Sequence, residues 1–378
     1  MSNVTSLMTS PFSNQTSMPS LDELLDQLGF GLWETVVNTF ILPPINLIGI
    51  ALCSFSLWIF SRPSFEDPIF FYYKLLCLVN IILLLHNIPS CILFTPIYFP
   101  WINTYATSVY QWYYASVSNI LFHYADVLRM GILLAKMKLY VPFVHENFSA
   151  RPQINSLTLF LTCFLIDAPT GFGFKIKSLG NYFYLDSKGV KQTTAFYYLT
   201  WSDFSQTLFG KILLGLTGFF FSVLVTLLVG VVLNILSYIK YKSYSRKRQR
   251  EFEELQMSSI HNRPTTNREI EQLRHREKID HKIERNMFRM ALTLCSLTIV
   301  SRFLFAAIFI YFFIFSSFSN TLLIEVSSTS LYTFSPTVSI LVFYSFNKMF
   351  RDETNTKLFR RQSRPYPRIV FISHEVQF

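Results

Sequence analysis

The stretch KILLGLTGFFFSVLVTLLVGVVLNILSYI, Lys211 to Ile239, decides the fold. From Ile212 to Ile239 it contains no Asp, Glu, Lys or Arg. About 20 apolar residues in a helix cross the hydrocarbon core of a bilayer. A helix is the element that satisfies every backbone donor and acceptor within such a segment. Similar runs recur along the chain, and the expected spans are Leu32–Phe60, Ile69–Phe99, Val109–Tyr140, Leu157–Phe174, Lys211–Ile239, Asn286–Phe315 and Leu322–Phe346. Composition agrees: only 15% of the residues are charged, whereas a soluble surface takes about a quarter. The fold class expected is all-α, a seven-transmembrane helix bundle in the lipid bilayer.

Charge orients the bundle. No Lys or Arg precedes Arg62, while Asp22, Glu23, Asp26 and Glu34 do, and basic residues crowd Lys240–Arg289 and Lys348–Arg368. The net charge of +10 therefore sits on cytoplasmic loops by the positive-inside rule, and no nucleic acid partner is expected. The segments after the second and sixth spans carry no Lys or Arg; the loop from Lys175 to Gly210 is the exception, with four lysines. An odd number of spans puts the N-terminus outside and the C-terminus in the cytosol, at the plasma membrane. The domains expected are an extracellular tail over 1–31, the bundle over 32–346 with a long cytoplasmic loop near 240–285, and a cytoplasmic tail over 347–378.

The tail 1–31 is polar, without a basic start or an apolar core, so no cleavable signal peptide is expected and the first span directs insertion. It carries two glycosylation sequons, at Asn3 and Asn14, whereas the sequon at Asn147 falls on the cytosolic side. All five cysteines lie inside apolar runs and none shows metal-ligand spacing. They read as small core residues, with no disulfide, metal or cofactor expected. In the third cytoplasmic loop a break is expected near Ser258–Pro264, followed by a capping box, Thr266-Asn267-Arg268-Glu269. After the seventh span, Phe346, Phe350 and Leu358-Phe359 share an apolar edge among basic residues, the pattern of a short amphipathic helix on the membrane surface.

Several motifs carry a family resemblance. Ile45-Asn46-Leu47-Ile48 resembles the Gly-Asn start of rhodopsin-like G-protein-coupled receptors. Leu78-Val79-Asn80-Ile81-Ile82-Leu83-Leu84, with Pro89 beyond it, resembles their Leu-Ala-x-x-Asp-Leu-Leu. Phe343 to Arg351 resembles their passage into the membrane-surface helix. The chain departs from the family in several places. Ala135-Lys136-Met137 stands where the family has Asp-Arg-Tyr, span six has neither Trp nor Pro, span five has no Pro, and Pro336 has no Asn before it. It is similar to the lineage-expanded serpentine receptors of invertebrates. The resemblance implies an orphan receptor that transduces binding of an extracellular peptide or small-molecule ligand to a heterotrimeric G protein, with no enzyme activity. Ser116 and Ser118 occupy the level of span three where an aminergic receptor has Asp.

Ionisable residues inside a span are expensive and mark function or a structural pair. Asp126 and Arg129, three apart on one helix face, pair with each other, and Arg302 in mid-span six faces the interior. With Asn46, Asn80 and a serine of span seven, Ser335 or Ser339, they form the expected polar switch network. Asn80 replaces a carboxylate, which implies weak sodium binding. Glu325, Asp167 and His86 are the candidate ligand contacts; a solvated rim carboxylate and a satisfied bundle histidine are the plain alternatives for Glu325 and His86. Lys136, Lys138, Arg285 and Arg289 are candidate G-protein contacts, with anchoring on anionic lipid as their other role. A polytopic transporter or channel is the alternative function, weakened because no internal repeat is visible.

Expression in a eukaryotic cell should give a glycosidase-sensitive mass, abolished by Asn3→Gln with Asn14→Gln and unmoved by Asn147→Gln. Loss of the modification with Asn147→Gln alone would invert the topology.

Overall fold

The computed structural model describes residues 36–93, 105–136, 151–185, 191–262, 267–315 and 319–359. Helix α1 (Leu42–Phe60) follows a π-helical turn, Val37–Ile41. Next come α2 (Pro68–Leu93), α3 (Tyr105–Lys136) and α4 (Pro152–Phe172). Strands β1 (Phe174–Leu185) and β2 (Lys191–Trp201) separate α4 from α5. Helix α5 is one rod made of Leu208–Leu214, a π-helical stretch Gly215–Val225 and Thr226–Asn262. Then follow α6 (Asn267–Phe315), α7 (Ser319–Phe346) and α8 (Lys348–Phe359). Among the described residues six helices are long and apolar enough to cross a membrane; α7 is 28 residues long, with its apolar part at Thr333–Phe346. The protein is a multi-pass membrane protein with a seven-helix bundle.

Burial shows how the helices are arranged. In α3, 72% of the apolar window is buried, against 22% in α4 and in α5, so α3 is the axis around which the others pack. Large apolar residues such as Leu47, Phe164, Leu228 and Phe303 are exposed on outer faces, as lipid-facing side chains must be. Where helices touch, small residues let them approach. A Cβ added at Gly49 of α1 would lie 2.7 Å from Thr337 Oγ1 of α7 and 2.8 Å from Leu84 Cδ1 of α2.

The bundle has two distinct ends. At one, β1 and β2 form an antiparallel hairpin with a bulge between Ser178 and Gly180. This is the segment expected as a loop, and its signals are local: Phe183, Tyr184, Thr193, Thr194, Tyr197 and Tyr198 are strand formers. The Tyr197 ring meets Tyr105 edge-on at 5.4 Å, placing the hairpin against the start of α3. Gly210 at the head of α5 admits no side chain, because a Cβ there would come 1.9 Å from the Phe204 carbonyl oxygen.

At the other end, α5 and α6 run past the bundle as a paired stalk; the 49 residues of α6 span about 70 Å. The seam is zipped by Asn234 Nδ2 donating to Ser296 Oγ (3.1 Å), by Tyr241 stacked on Phe288 (4.2 Å, 10° between planes) and by the Arg248–Glu284 ion pair (2.5 Å). The break expected near Ser258 falls later, because α5 remains helical to Asn262. Thr266 of the expected capping box, like Pro264, lies outside the described residues.

An aromatic knot closes the same end. The Phe60 ring lies within 5.0–6.0 Å of Phe65, Phe70, Tyr73, Phe343 and Phe350, tying α1, α2, α7 and α8 together. Phe350 corrects an expectation: it is 1% exposed and turned into the bundle, not laid on the membrane surface. Asn347 sets that geometry by capping α8, its Oδ1 accepting from the Phe350 N–H at 3.1 Å.

Phe60→Ala should cost about 3 kcal/mol by opening a cavity at the centre of the knot. Thermal unfolding in detergent should show the loss, with a much smaller effect from Leu47→Ala on the lipid face.

Candidate functional site

Two polar layers cross the interior. The one at the stalk-side half of the bundle is ionic. Asp126, two-thirds of the way along α3, is fully buried. Its Oδ1 accepts from Arg129 Nη1 at 2.6 Å and from Thr298 Oγ1 at 3.1 Å; its Oδ2 accepts from Arg302 Nε at 2.6 Å. One carboxylate thus joins a cation of its own helix to a cation and a hydroxyl of α6. Arg129 and Arg302 are themselves 0% and 1% exposed. In hydrocarbon each charge would be prohibitively expensive alone, so the three are stable only together.

Arg302 is held further by Ser222 of α5, whose Oγ accepts from Nη1 at 3.3 Å, and by the Phe122 ring, 4.9 Å from the guanidinium carbon. Beside it His123 places Nδ1 2.7 Å from Asp167 Oδ2 on α4 and Nε2 3.0 Å from Thr226 Oγ1 on α5. The layer therefore contains two carboxylates, two guanidiniums and an imidazole, drawn from α3, α4 and α6, with two hydroxyls of α5 beside them. Ser222 lies in the π-helical stretch of α5 and Thr226 follows it directly. Widened turns of this kind are frequent at functional sites, and here they occur without a proline.

The histidine bonds work in either charge state. A neutral ring donates from Nδ1 to Asp167 and accepts at Nε2 from the Thr226 hydroxyl. A protonated ring donates from both nitrogens, and Thr226 then donates to the Phe221 carbonyl oxygen at 3.3 Å.

The second layer lies nearer the hairpin; Tyr114, twelve residues before Asp126 on α3, is about 18 Å from it along the helix. Its node is Asn87 of α2. Asn87 Nδ2 donates to Thr333 Oγ1 of α7 (2.6 Å) and to Asn46 Oδ1 of α1 (3.3 Å), and Tyr114 donates to Asn87 Oδ1 at 2.5 Å. Thr333 also donates to Asn46 Oδ1 at 3.0 Å. Four helices meet on these side chains. Above them His86 is half-buried, with Nε2 2.9 Å from the Tyr113 hydroxyl and Nδ1 2.9 Å from the Ile82 carbonyl.

The structure places the expected residues as follows. Asp126, Arg129 and Arg302 come together. Asn46 is in a polar network, but its partners are Asn87 and Thr333, not Asn80, Ser335 or Ser339. Asn80 is buried with Oδ1 unpartnered, two helical turns from Asn87; Ser335 Oγ is likewise unpartnered, and Ser339 donates to its own helix at the Ser335 carbonyl. The reason is depth, since Asn46 lies level with Asn87 rather than Asn80. Asp167, expected to face a ligand cation, is 0% exposed and bonded to His123. Arg285 and Arg289 are exposed on α6, and Lys136 is half-buried at the last turn of α3. Lys138, Asn3 and Asn14 lie outside the described residues, as does the side chain of Glu325 on α7. Asn87 and Thr333 were missed; their signal is only that each is a polar residue in an apolar helix.

Comparison with known proteins concerns the fold. No protein-family model and no curated protein matches the chain. Among solved structures, the crystal structure of squid rhodopsin superposes with a TM-score of 0.52, covering 92% of this chain and 87% of that one at 13% identity. The chain therefore has a rhodopsin-like seven-helix fold.

Asn87→Ala removes three buried hydrogen bonds and should cost about 2–4 kcal/mol. Asn80→Ala should lower the unfolding temperature far less, and the reverse order would discount the node.

Proposed function

We propose that the chain is a signalling receptor, in which an extracellular peptide or small chemical ligand shifts a two-state bundle and a cytosolic heterotrimeric G protein reads the shift. The hairpin end faces outward and the stalk end faces the cytosol, where Lys136, Lys138, Arg285 and Arg289 contact the G protein. No chemistry is performed by the chain itself. The observation that carries this is the Asp126 carboxylate shared between α3 and α6.

The ionic layer has the properties a switch needs. Each oxygen of Asp126 bonds a different guanidinium, so α6 can withdraw Arg302 while Asp126 keeps Arg129. Arg302 then needs another acceptor in the same layer, and Asp167 Oδ1 is buried there and unpartnered. Two arrangements with nearly conserved charge pairing differ by little free energy, which lets a ligand of modest differential affinity choose between them.

The test is nucleotide exchange on a panel of G proteins by the full chain in membranes. Thr298→Val removes one hydrogen bond across the α3–α6 contact, about 1 kcal/mol, and should raise basal exchange about fivefold. Ser222→Ala should act in the same direction. Asp126→Asn leaves two buried cations uncompensated and should destabilise by about 3–5 kcal/mol. If Thr298→Val and Ser222→Ala reach the membrane and leave exchange unchanged, the layer is structural. If no G protein responds and solute uptake appears, the chain is a transporter.

A further inference from the structure

We infer that the outward face of α5, where it leaves the bundle at the stalk end, is a binding site for a polyphosphorylated inositol lipid. Tyr238, Ile239, Lys242, Ser243, Arg246 and Arg250 line a groove of about 530 Å³ there, together with Lys247. The inference uses the orientation proposed above, with this end cytosolic, but does not depend on the receptor function.

The groove arises from helical spacing. Lys242, Arg246 and Arg250 recur every fourth residue and so share one face. The opposite face of α5 is occupied by α6, through Tyr241 on Phe288, Ser245 on His281 and Arg248 on Glu284. Among the described residues no carboxylate forms an ion pair with Lys242, Arg246 or Arg250, and all three are exposed. Glu254, one turn beyond Arg250, ends the basic strip. Below the cations the same rod is apolar and exposed: Ile235, Leu236, Tyr238 and Ile239 are 45–55% accessible, so acyl chains lie directly beneath the groove.

Height above the membrane chooses among anionic lipids. Taking Ile239 as the last apolar residue, Lys242, Arg246 and Arg250 stand about 4, 10 and 16 Å beyond it along the helix. The headgroup layer on each side is about 5–8 Å thick. A single phosphodiester reaches Lys242 and stops short of the two arginines. An inositol ring bearing its own phosphates rises above that layer and meets Arg246 and Arg250, whose guanidinium forks match phosphate oxygens. The charge and the reach of the site are thus complementary to a ring polyphosphate held on a lipid.

The experiment is native mass spectrometry of the full chain in detergent. It is titrated with phosphatidylinositol bisphosphate, with phosphatidylserine and with free inositol trisphosphate. The bisphosphate lipid should bind at least about tenfold more tightly than phosphatidylserine, since each cation near an anionic lipid contributes about fivefold. Lys242→Gln should weaken both lipids, whereas Arg250→Gln should weaken only the bisphosphate. The triple variant K242Q/R246Q/R250Q should lose about a hundredfold for the bisphosphate with its unfolding temperature unchanged. Equal affinity for the two lipids, or no loss in the triple variant, overturns the inference. Free inositol trisphosphate binding as tightly as the lipid would make this a soluble-polyphosphate site and also overturns it. So does a triple variant that keeps lipid binding but loses G-protein exchange, because the strip would then be a protein-docking face.

Discussion

The interior of this bundle depends on one carboxylate. Asp126 is sealed from water with Arg129 and Arg302 on its two oxygens, at 2.6 Å each. Hydrocarbon offers these groups no alternative partner, so α3 and α6 cannot separate here without finding another acceptor for a guanidinium. The depth and rotation of both helices follow from that constraint. Ser222, Thr298 and the Phe122 ring then take the remaining positions around the Arg302 head. The His123–Asp167 pair extends the same layer to α4, and Thr226 extends it to α5.

Apolar contacts do different work. In lipid, burying a Phe against a neighbouring helix gains little over facing an acyl chain, so close packing and small residues set the contacts. Gly49 shows this where α1, α2 and α7 converge. At the stalk end, where the chain meets water, aromatic burial matters again. The Phe60 knot fastens α8 to the bundle there, and the Tyr241–Phe288 stack begins the stalk. The molecule is therefore pinned by charge in the middle and by aromatic packing at one end. Asn87 ties α1, α2, α3 and α7 toward the other end.

Which parts of the site were visible from sequence follows from what spacing can and cannot express. Asp126 and Arg129 are three apart on one helix, so their pairing follows from helical geometry alone. That Arg302 shares the same carboxylate across 176 residues depends on helix rotation. The Asn46 network shows the limit more sharply. Asn80 resembled the expected partner by motif, yet Asn87 is the residue level with Asn46, because tilt and packing set depth. Asp167 read as a ligand contact for similar reasons: its distance along α4 was legible, its rotation toward His123 was not. The β-hairpin was legible in principle, from its run of Tyr, Phe and Thr.

By itself the sequence determined the number of crossings and the residues that must avoid lipid. Both follow from local quantities, namely the length of uncharged runs and the cost of a charge within them. The tertiary structure alone decided which buried polar groups satisfy one another, that α5 passes through a π-helical stretch beside Ser222 and Thr226, and that Phe350 turns inward. Those outcomes depend on relative depth and rotation among eight helices, and no local spacing encodes them.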